Sequence, residues 1–250
     1  MGAWPRTPQV REPVRSIVLA NQKGGVGKTT TAIHLAHGCA LAGRRVLLMD
    51  LDPQGNATVA VQGMQAEDAT SPREWMVPVA ERLWILPSTG GEAARSGEAT
   101  LDTDRLATVV GELEGEIDLL VADCPPRMDE WGWAGVQLCE EVIVPVQAEF
   151  FSMHGLSQML ESLEVAASQF PGKGRLRGVL PTMVDSDEPI SQEVLDDLRA
   201  NLGDSLLRSI IFRDSCLVEA ASHGKSVFVH SPWSKGALCY TELVQEIIHG

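Results

Sequence analysis

The sequence predicts a doubly wound α/β fold, in which a mainly parallel β-sheet carries helices on both faces. Short apolar runs alternate along the chain with stretches of helical periodicity. The runs are continuously apolar rather than alternating, which is typical of strands buried on both faces of a parallel sheet. The first run is followed by a glycine-rich loop, a helix and a second run, the order that begins a right-handed parallel unit.

The predicted elements follow one another at short intervals. The apolar runs interpreted as strands are SIVLA (16–20), RRVLLMD (44–50), LWILP (83–87), IDLLVAD (117–123), EVIVPV (141–146), LRGVLPT (176–182) and RSIIF (208–212). Helical periodicity covers 29–43, 154–170 and 190–202. We expect the first helix to end at Gly43, because glycine favours the left-handed turn that follows a helix.

The chain divides into a short tail and one larger unit. Three prolines in residues 1–15 predict a flexible N-terminal tail. The remaining residues, 16–250, fit one domain, since a chain of 250 residues that is 44% hydrophobic can bury a sizeable core.

The charge and the cysteines exclude several classes of protein. A net charge of -14 makes most of the surface acidic, so DNA would bind only at a local basic patch. No apolar run is long enough to span a membrane, and we expect a cytoplasmic protein that binds no membrane. The five cysteines lack C-x-x-C spacing, which argues against a disulfide framework or a structural zinc site. We expect free, mostly buried thiols.

Residues 21–31, NQKGGVGKTTT, are a variant of the phosphate-binding loop G-x-x-x-x-G-K-[ST]. Gln22 stands at the first glycine, and the loop carries a second lysine, Lys23. The glycines let backbone N–H groups point toward a polyphosphate at the start of a helix. Lys28 supplies a point charge to the terminal phosphates, and the Thr29 hydroxyl is a ligand for Mg²⁺. The predicted nucleotide contacts are Lys23, Gly24, Gly25, Val26, Gly27, Lys28, Thr29 and Thr30.

Carboxylates end two of the predicted strands. Asp50 and Asp52 follow the second strand, and Asp123 ends the strand at 117–123. Because ligands of parallel sheets bind beyond the carboxyl ends of the strands, we expect these acids beside the phosphate loop. Mg²⁺ takes few protein oxygens together with water and phosphate oxygens, so Asp123 is the candidate that supports the metal through water. One of Asp50 and Asp52 would orient the water that attacks the γ-phosphate.

Five motifs follow one another along the chain. They are KGGVGKTT (23–30), DLDPQGNAT (50–58), DCPP (123–126), PVQAEF (145–150) with GLSQ (155–158), and EAASHGK (219–225). In this order they resemble the ParA/MinD family of ATPases, closest to the short ParA proteins also called Soj. The similarity runs from about Ser16 to the C-terminus and implies a P-loop NTPase fold with a deviant Walker A loop.

The resemblance implies a slow ATPase that uses Mg-ATP and forms a homodimer around two nucleotides. Lys23 would cross to the partner subunit and contact its phosphates, and Asp52 would position the attacking water. The residues implied to be catalytic are Lys23, Lys28 and Asp52. The residues implied to support the metal are Thr29, Asp50 and Asp123.

The resemblance also places the base of the nucleotide. The segments that contact adenine in the family hold Thr182, Met183, Phe212 and Asp214 here. Phe212 stands where a proline is usual and Asp214 where an asparagine is usual. Because an aspartate can accept hydrogen bonds from guanine, GTP stays an alternative to ATP.

In function, the resemblance implies chromosome or plasmid partition. The ATP-bound dimer would bind nucleoid DNA without sequence preference, and a ParB-like partner would stimulate hydrolysis and release. Asp187 and Cys216 stand where relatives carry DNA-binding arginines, which predicts weaker DNA binding. Arg213 is retained, and the residues that could form a substitute patch are Lys173, Arg175, Arg177, Arg199, Arg208, Lys225 and Lys235. The candidate DNA contacts are Arg175, Arg177, Arg199, Arg213 and Lys225.

Three alternative functions stay open. The altered second switch, DCPPRMDEWGW (123–133), favours a ParA-like switch that has lost DNA binding and acts on a protein scaffold; its two tryptophans would either pack or face a partner. A MinD-like membrane regulator would need a basic amphipathic C-terminal helix, yet no Lys or Arg follows Lys235. The third is a metal-cluster carrier, with Cys124 and Cys139 as candidate ligands, or an ATP-dependent biosynthetic enzyme.

Overall fold

The computed structural model describes residues 14–61, 75–88, 103–113, 115–149 and 152–249. Most of the tail predicted over residues 1–15 and the end of the PVQAEF motif lie outside these ranges. The strands are β1 (Arg15–Leu19), β2 (Val46–Asp50), β3 (Val77–Ala80), β4 (Leu83–Leu86), β5 (Leu119–Asp123), β6 (Glu141–Gln147) and β7 (Arg175–Thr182). The helices are α1 (Lys28–Leu41), α2 (Asn56–Ala60), α3 (Thr103–Glu112), α4 (Glu130–Leu138), α5 (Ser152–Gln169), α6 (Pro189–Leu202), α7 (Ser215–Ser222), α8 (Val227–His230) and α9 (Lys235–His249).

The strands form one sheet in the order β3-β4-β2-β5-β1-β6-β7. Every neighbouring pair is parallel except β3 with β4, which is antiparallel. This arrangement confirms the predicted fold class. β1, the strand before the phosphate loop, lies between β5 and β6 near the centre of the sheet, where both of its faces are buried.

Two apolar layers cover the sheet. Side chains of α3, α4, α5 and α6 pack on one face, and side chains of α1, α7, α8 and α9 pack on the other. Alternate residues of β1 point into opposite layers: Val18 into the first, Ile17 and Leu19 into the second. All five cysteines are free, and four of them are buried, as expected. No helix within the described ranges is long and apolar enough to cross a membrane.

Helix α1 is held by a buried histidine. His34 stacks on Tyr240 of α9, with ring centroids 4.7 Å apart, and its Nδ1 lies 2.6 Å from the Thr30 carbonyl oxygen. Its Nε2 accepts the N–H of Val227 at 2.9 Å. Only the neutral tautomer with a proton on Nδ1 makes both bonds, and burial lowers the pKa of His34 to about 4. The helix after the phosphate loop is therefore fixed to the α7–α8 connection.

The predicted strand at 208–212 is absent from the sheet. Glu246 of α9 accepts the backbone N–H groups of Arg208 and Ser209 at 2.9 and 2.8 Å, so these groups cannot join a ladder. The surrounding chain still runs beside β7: two isolated bridges join Val179 to Leu206 and Val184 to Phe212, and the N–H of Ile211 donates to the Pro181 carbonyl at 2.9 Å. A carboxylate distant in sequence thus binds two backbone N–H groups at the start of the segment, and no continuous ladder forms.

Gly38 marks the close approach of α1 to the helices beside it. A Cβ atom added there would lie 2.5 Å from a methyl carbon of Val244 and 3.2 Å from the Phe228 ring. We expect Gly38→Ala to lower the free energy of unfolding by about 1–3 kcal/mol because the helices must separate. Gly111→Ala in α3, where an added Cβ meets no atom within 4 Å, should leave stability unchanged or raise it. Urea denaturation measures both variants, and equal stabilities would contradict the close packing.

Candidate nucleotide-binding site

The carboxyl ends of the central strands bring the predicted site residues to one edge of the sheet. Asp50 at the end of β2 lies opposite Asp123 at the end of β5, and Asp123 also pairs in register with Leu19 at the end of β1. The phosphate loop leaves β1 at this edge. The predicted convergence of the loop and the acids is therefore present.

The phosphate loop takes its shape from two glycines with positive φ. Gly25 has φ 74° and Gly27, which precedes the first residue of α1, has φ 87°. Side chains with a Cβ rarely adopt such angles, so these positions favour glycine. Asn21 fixes the start of the loop, because its side-chain amide donates to the Pro145 carbonyl at 2.7 Å and its carbonyl oxygen accepts the N–H of Lys23 at 2.9 Å.

The end of β7 holds the other side of the loop. The Thr182 hydroxyl, which is buried, donates to the Val26 carbonyl at 2.9 Å. Met183 has a positive φ of 52°, uncommon for a residue with a side chain, and its terminal methyl group lies close to Gly27. Both residues were predicted to meet the nucleotide base, and the structure places them directly against the phosphate loop.

Lys28 points inward rather than into solvent. It is only 6% exposed, and its Nζ donates to the Lys23 carbonyl at 3.0 Å. Burial lowers the pKa of Lys28, while the negative charges of Asp123 and Asp52 act in the opposite direction. The ammonium group is therefore enclosed by the phosphate loop, near Asp52 and Asp123.

Asp123 is a buried acid without a partner. It is 0% exposed, and neither carboxylate oxygen has a hydrogen-bond partner within the described part of the chain. Burial raises the pKa of Asp123 well above its usual range and the neighbouring Asp50 raises it further, whereas the Thr29 hydroxyl beside it acts in the opposite direction. Two orphaned carboxylate oxygens next to a hydroxyl group are donors that suit a hard cation such as Mg²⁺.

Asp50 is buried like Asp123, but both of its carboxylate oxygens accept hydrogen bonds. One of its oxygens accepts from both the backbone N–H and the hydroxyl of Thr58, at 2.8 and 2.6 Å, and the other accepts the N–H of Asp52 at 3.2 Å. Burial raises the pKa of Asp50 to about 6, and these hydrogen bonds oppose the rise. Asp52 is held by its own turn, since its carboxylate accepts the N–H of Gln54 at 2.9 Å.

Lys23 lies on the surface beside the loop. Its Nζ is 3.2 Å from a carboxylate oxygen of Glu149, which follows β6, and both side chains are about half exposed. Glu149 also accepts from the Gln147 side-chain amide at 2.5 Å. An exposed pair of this kind contributes little stability, on the order of 0–1 kcal/mol, so Lys23 is free to exchange partners.

The second switch packs next to the loop. A Cβ added at Gly24 would lie 3.6 Å from Pro126, and Asp129 begins α4 by accepting the N–H groups of Trp131 and Gly132. Trp131 and Trp133 are partly buried against the core of the first apolar layer. The structure therefore favours packing for these two tryptophans over a surface formed by both.

The remaining predicted base contacts lie on the segment after β7. Phe212 pairs with Val184 and has the ammonium group of Lys235 3.9 Å above its ring. The two Asp214 oxygens accept the N–H groups of Cys216 and Gly236, at 2.9 and 2.7 Å. Burial acts to raise the pKa of Asp214, but these hydrogen bonds outweigh it and the pKa is lowered. Asp214 thus has a structural task at the start of α7, which leaves fewer lone pairs for a guanine.

The candidate DNA-binding residues belong to several different elements. Arg175 and Arg177 lie in the first half of β7, about 16–23 Å along the strand from Thr182 at the nucleotide edge. The arginines have acceptors nearby: Arg175 pairs with Glu141, Arg177 donates to the Glu246 carbonyl, Arg199 pairs with Asp196, and Arg213 pairs with Asp185. Lys225, which follows α7, is exposed.

Several side chains that shape the site were not singled out from the sequence. Thr58 and Glu149 belong to the quoted motifs, but their partners are far away or across a turn, so no spacing indicated them. Asn21 is adjacent to the loop, and its partner Pro145 lies 124 residues away. Asn21 and Glu149 are polar residues just after a strand, which was a weak signal, whereas Thr58 lies inside the short helix α2.

Comparison with known proteins identifies the family to which the chain belongs. A family model described as an AAA domain matches residues 14–173. The chain is 39% identical over 249 residues to the chromosome-partitioning ATPase Soj of Thermus thermophilus, covering 96% of this chain and 97% of that protein. The chain belongs to the ParA/Soj family of ATPases. The chromosome partitioning protein ParA of Caulobacter vibrioides is 31% identical and aligns over 94% of both chains.

A solved structure extends the comparison to the fold. Cobyrinic acid a,c-diamide synthase from Mycobacterium smegmatis, crystallised with an ATP analogue and magnesium, superposes with a TM-score of 0.75. It is 29% identical in sequence, and the match covers 94% of both chains. Family membership confirms the resemblance that the five motifs predicted.

The unpartnered state of Asp123 has a measurable effect on stability. Because its pKa is raised in the folded protein, the ionised carboxylate destabilises the fold as pH rises through that pKa, and the penalty vanishes toward the unfolded value of 3.8. We expect Asp123→Asn to raise the free energy of unfolding at pH 8 by about 1 kcal/mol or more, and by less as pH falls. Thermal denaturation across pH measures this gain.

Asp196→Asn is the matched control, because Asp196 is an exposed acid paired with Arg199. It should change stability by less than about 0.5 kcal/mol at any pH. A loss of stability in Asp123→Asn at pH 8 would show that the carboxylate is satisfied in the folded protein.

Proposed function

We propose that the protein is a ParA-like partition ATPase, in which Mg-ATP drives a sandwich homodimer that binds nucleoid DNA and is released when a ParB-like partner stimulates hydrolysis. The observation that carries this proposal is the phosphate loop with its second lysine, joined to a buried, unpartnered acid at the next strand end. The 39% identity to a chromosome-partitioning ATPase over nearly the whole chain supports it.

The residues divide the work of binding and hydrolysis. The loop amides from Gly24 to Thr30 would surround the phosphates at the N-terminus of α1, with Lys28 already buried in the position of a charge partner. Thr29 and Asp123 would hold Mg²⁺, which neutralises charge on the phosphate oxygens. Asp52, oriented by the turn that follows it, would position the attacking water.

Two alternatives are less well supported by the structure. Cys124 and Cys139 are buried beside α4, and burial raises the pKa of both thiols, unlike ligands of a cluster shared at a subunit surface. Helix α9 ends without lysine or arginine in its last turn, which disfavours a basic membrane anchor.

The scaffold-binding alternative is favoured by one observation, the pairing of the candidate arginines with acids of the same chain.

Binding of a labelled nonspecific duplex, followed by fluorescence anisotropy with Mg-ATP, Mg-ADP or Mg-GTP, tests the proposal. We expect binding with Mg-ATP alone that weakens from 50 to 200 mM salt. Asp187→Arg should steepen the salt dependence by about 0.9 for each phosphate contact it adds. Asp204→Arg is the control, because it makes the same change of charge at an exposed position just after α6.

Lack of DNA binding by a protein that still dimerises with ATP would move the function to a protein scaffold. Lack of both dimerisation and hydrolysis would contradict the partition proposal itself. Binding with Mg-GTP instead of Mg-ATP would reverse the base assignment.

Lys23→Ala tests the dimer. If Lys23 contacts nucleotide across the interface, its loss should weaken ATP-dependent dimerisation at least tenfold while ATP binding to the monomer changes little. Glu149→Gln, which removes only the exposed partner within the subunit, should change dimerisation by less than about threefold. Sedimentation velocity with a slowly hydrolysed ATP analogue measures both. Equal dimerisation by Lys23→Ala and wild type would leave Lys23 without a role at the interface.

A further inference from the structure

Asp50 and Asp123 are opposite one another in the sheet but differ in what binds them. Among the described residues, neither Asp123 oxygen has a hydrogen-bond partner, whereas both Asp50 oxygens accept hydrogen bonds from the segment that follows β2. A metal ligand needs free lone pairs that face the ion. Asp123 meets this requirement, whereas the Asp50 oxygens accept hydrogen bonds from Asp52 and Thr58.

The hydrogen bonds of Asp50 close a loop. The N–H of Asp52 binds one oxygen at the start of the segment, and Thr58 of α2 binds the other oxygen at its end. The segment 52–58 is therefore anchored at both ends to a single carboxylate. The hydroxyl bond from Thr58, at 2.6 Å, is the shortest contact of this set.

Thr58 also connects this loop to the next strand. Its hydroxyl oxygen accepts the N–H of Ser88 at 3.3 Å, just after the end of β4, while donating its own proton to Asp50. A hydroxyl is the smallest side-chain group able to accept one bond and donate another in this way. The relay joins the ends of β4 and β2 through α2.

Asp52 lies inside the loop that this relay closes. Its carboxylate accepts the N–H of Gln54 at 2.9 Å, and its carbonyl accepts the N–H of Gly55 at 2.8 Å, so its direction depends on the conformation of the turn. The conformation of this turn depends on the hydrogen bonds between Thr58 and Asp50. Asn56, the first residue of α2, also donates to the second Asp52 oxygen at 3.4 Å, so both the turn and α2 contact this carboxylate.

We infer that Thr58 is a positioning residue for hydrolysis, which acts through Asp50 to hold Asp52 in place, and that Asp50 anchors the first switch rather than binding metal. This inference rests on the proposed ATPase function. It separates two tasks: Asp123, Thr29 and the loop hold Mg-nucleotide, and the Asp50–Thr58 pair orients the group beside the attacking water.

Steady-state phosphate release by the full-length protein at saturating Mg-ATP tests the inference, together with equilibrium binding of a fluorescent ATP analogue. Thr58→Val keeps the shape of the side chain but removes the hydroxyl. We expect kcat to fall tenfold or more, while nucleotide affinity stays within about threefold of wild type, since the loop and Asp123 are unchanged. Thr58→Ser, which retains the hydroxyl, should recover most of the rate.

Two further variants exclude simpler explanations. Thr58→Ala removes the same hydroxyl without placing a methyl group against Asp50, and it replaces Thr58→Val if that variant does not fold. Thr241→Val removes a hydroxyl that donates to the Ala237 carbonyl in α9, far along the chain, and should leave kcat within twofold of wild type.

A double-mutant cycle decides whether Thr58 acts through Asp50. Adding Thr58→Val to Asp50→Asn should lower kcat by less than twofold beyond Asp50→Asn alone. Three results would overturn the inference. The first is a double variant whose kcat falls by the product of the two single-variant reductions. The others are a kcat of Thr58→Val within twofold of wild type, and a loss of nucleotide affinity equal to the loss of kcat. If wild type did not hydrolyse ATP, the proposed function would fail first, and the inference with it.

Discussion

Asp50 and Asp123 face each other at the ends of two neighbouring strands, both almost completely buried, and the rest of the site is arranged around these two charges. Burial of a carboxylate is unfavourable unless hydrogen bonds or cations compensate for it. The chain compensates Asp50 with Thr58 and the backbone, but in the described part of the chain it offers Asp123 only the nearby Lys28 charge and the Thr29 hydroxyl beside it. A site destabilised in the free protein in this way gains the most from a bound cation.

The phosphate loop is rigid because distant parts of the sheet hold it. Asn21 attaches its start to the strand β6, and Thr182 attaches its middle to the strand β7. His34 fixes the following helix to the segment before α8. These contacts come from three distant regions of the sequence, so the loop needs little adjustment when it surrounds a phosphate. Preorganisation of this kind lowers the entropy lost on binding.

The surface away from the nucleotide edge is mainly acidic. Acidic residues surround or pair with the exposed arginines that could contact DNA, and the net charge is -14. The loop and the acids at the nucleotide edge are buried or held by specific hydrogen bonds, whereas the candidate arginines form ion pairs with acids of the same chain. Long-range electrostatic attraction of DNA depends on the whole surface, whereas phosphate binding depends on a few buried groups.

The sequence by itself determined the fold class, six of the seven predicted strands, the phosphate loop and the three strand-end acids, because each depends on local pattern: continuous apolar runs, glycine spacing and polar residues at strand ends. Only the tertiary structure decided which acid is satisfied and which is not, since Asp50 and Asp123 have the same local sequence signal. It also decided that 208–212 is no strand, because Glu246 of a distant helix binds the amides of Arg208 and Ser209. Pairings across 30 to 200 residues are set by packing, which no local pattern encodes.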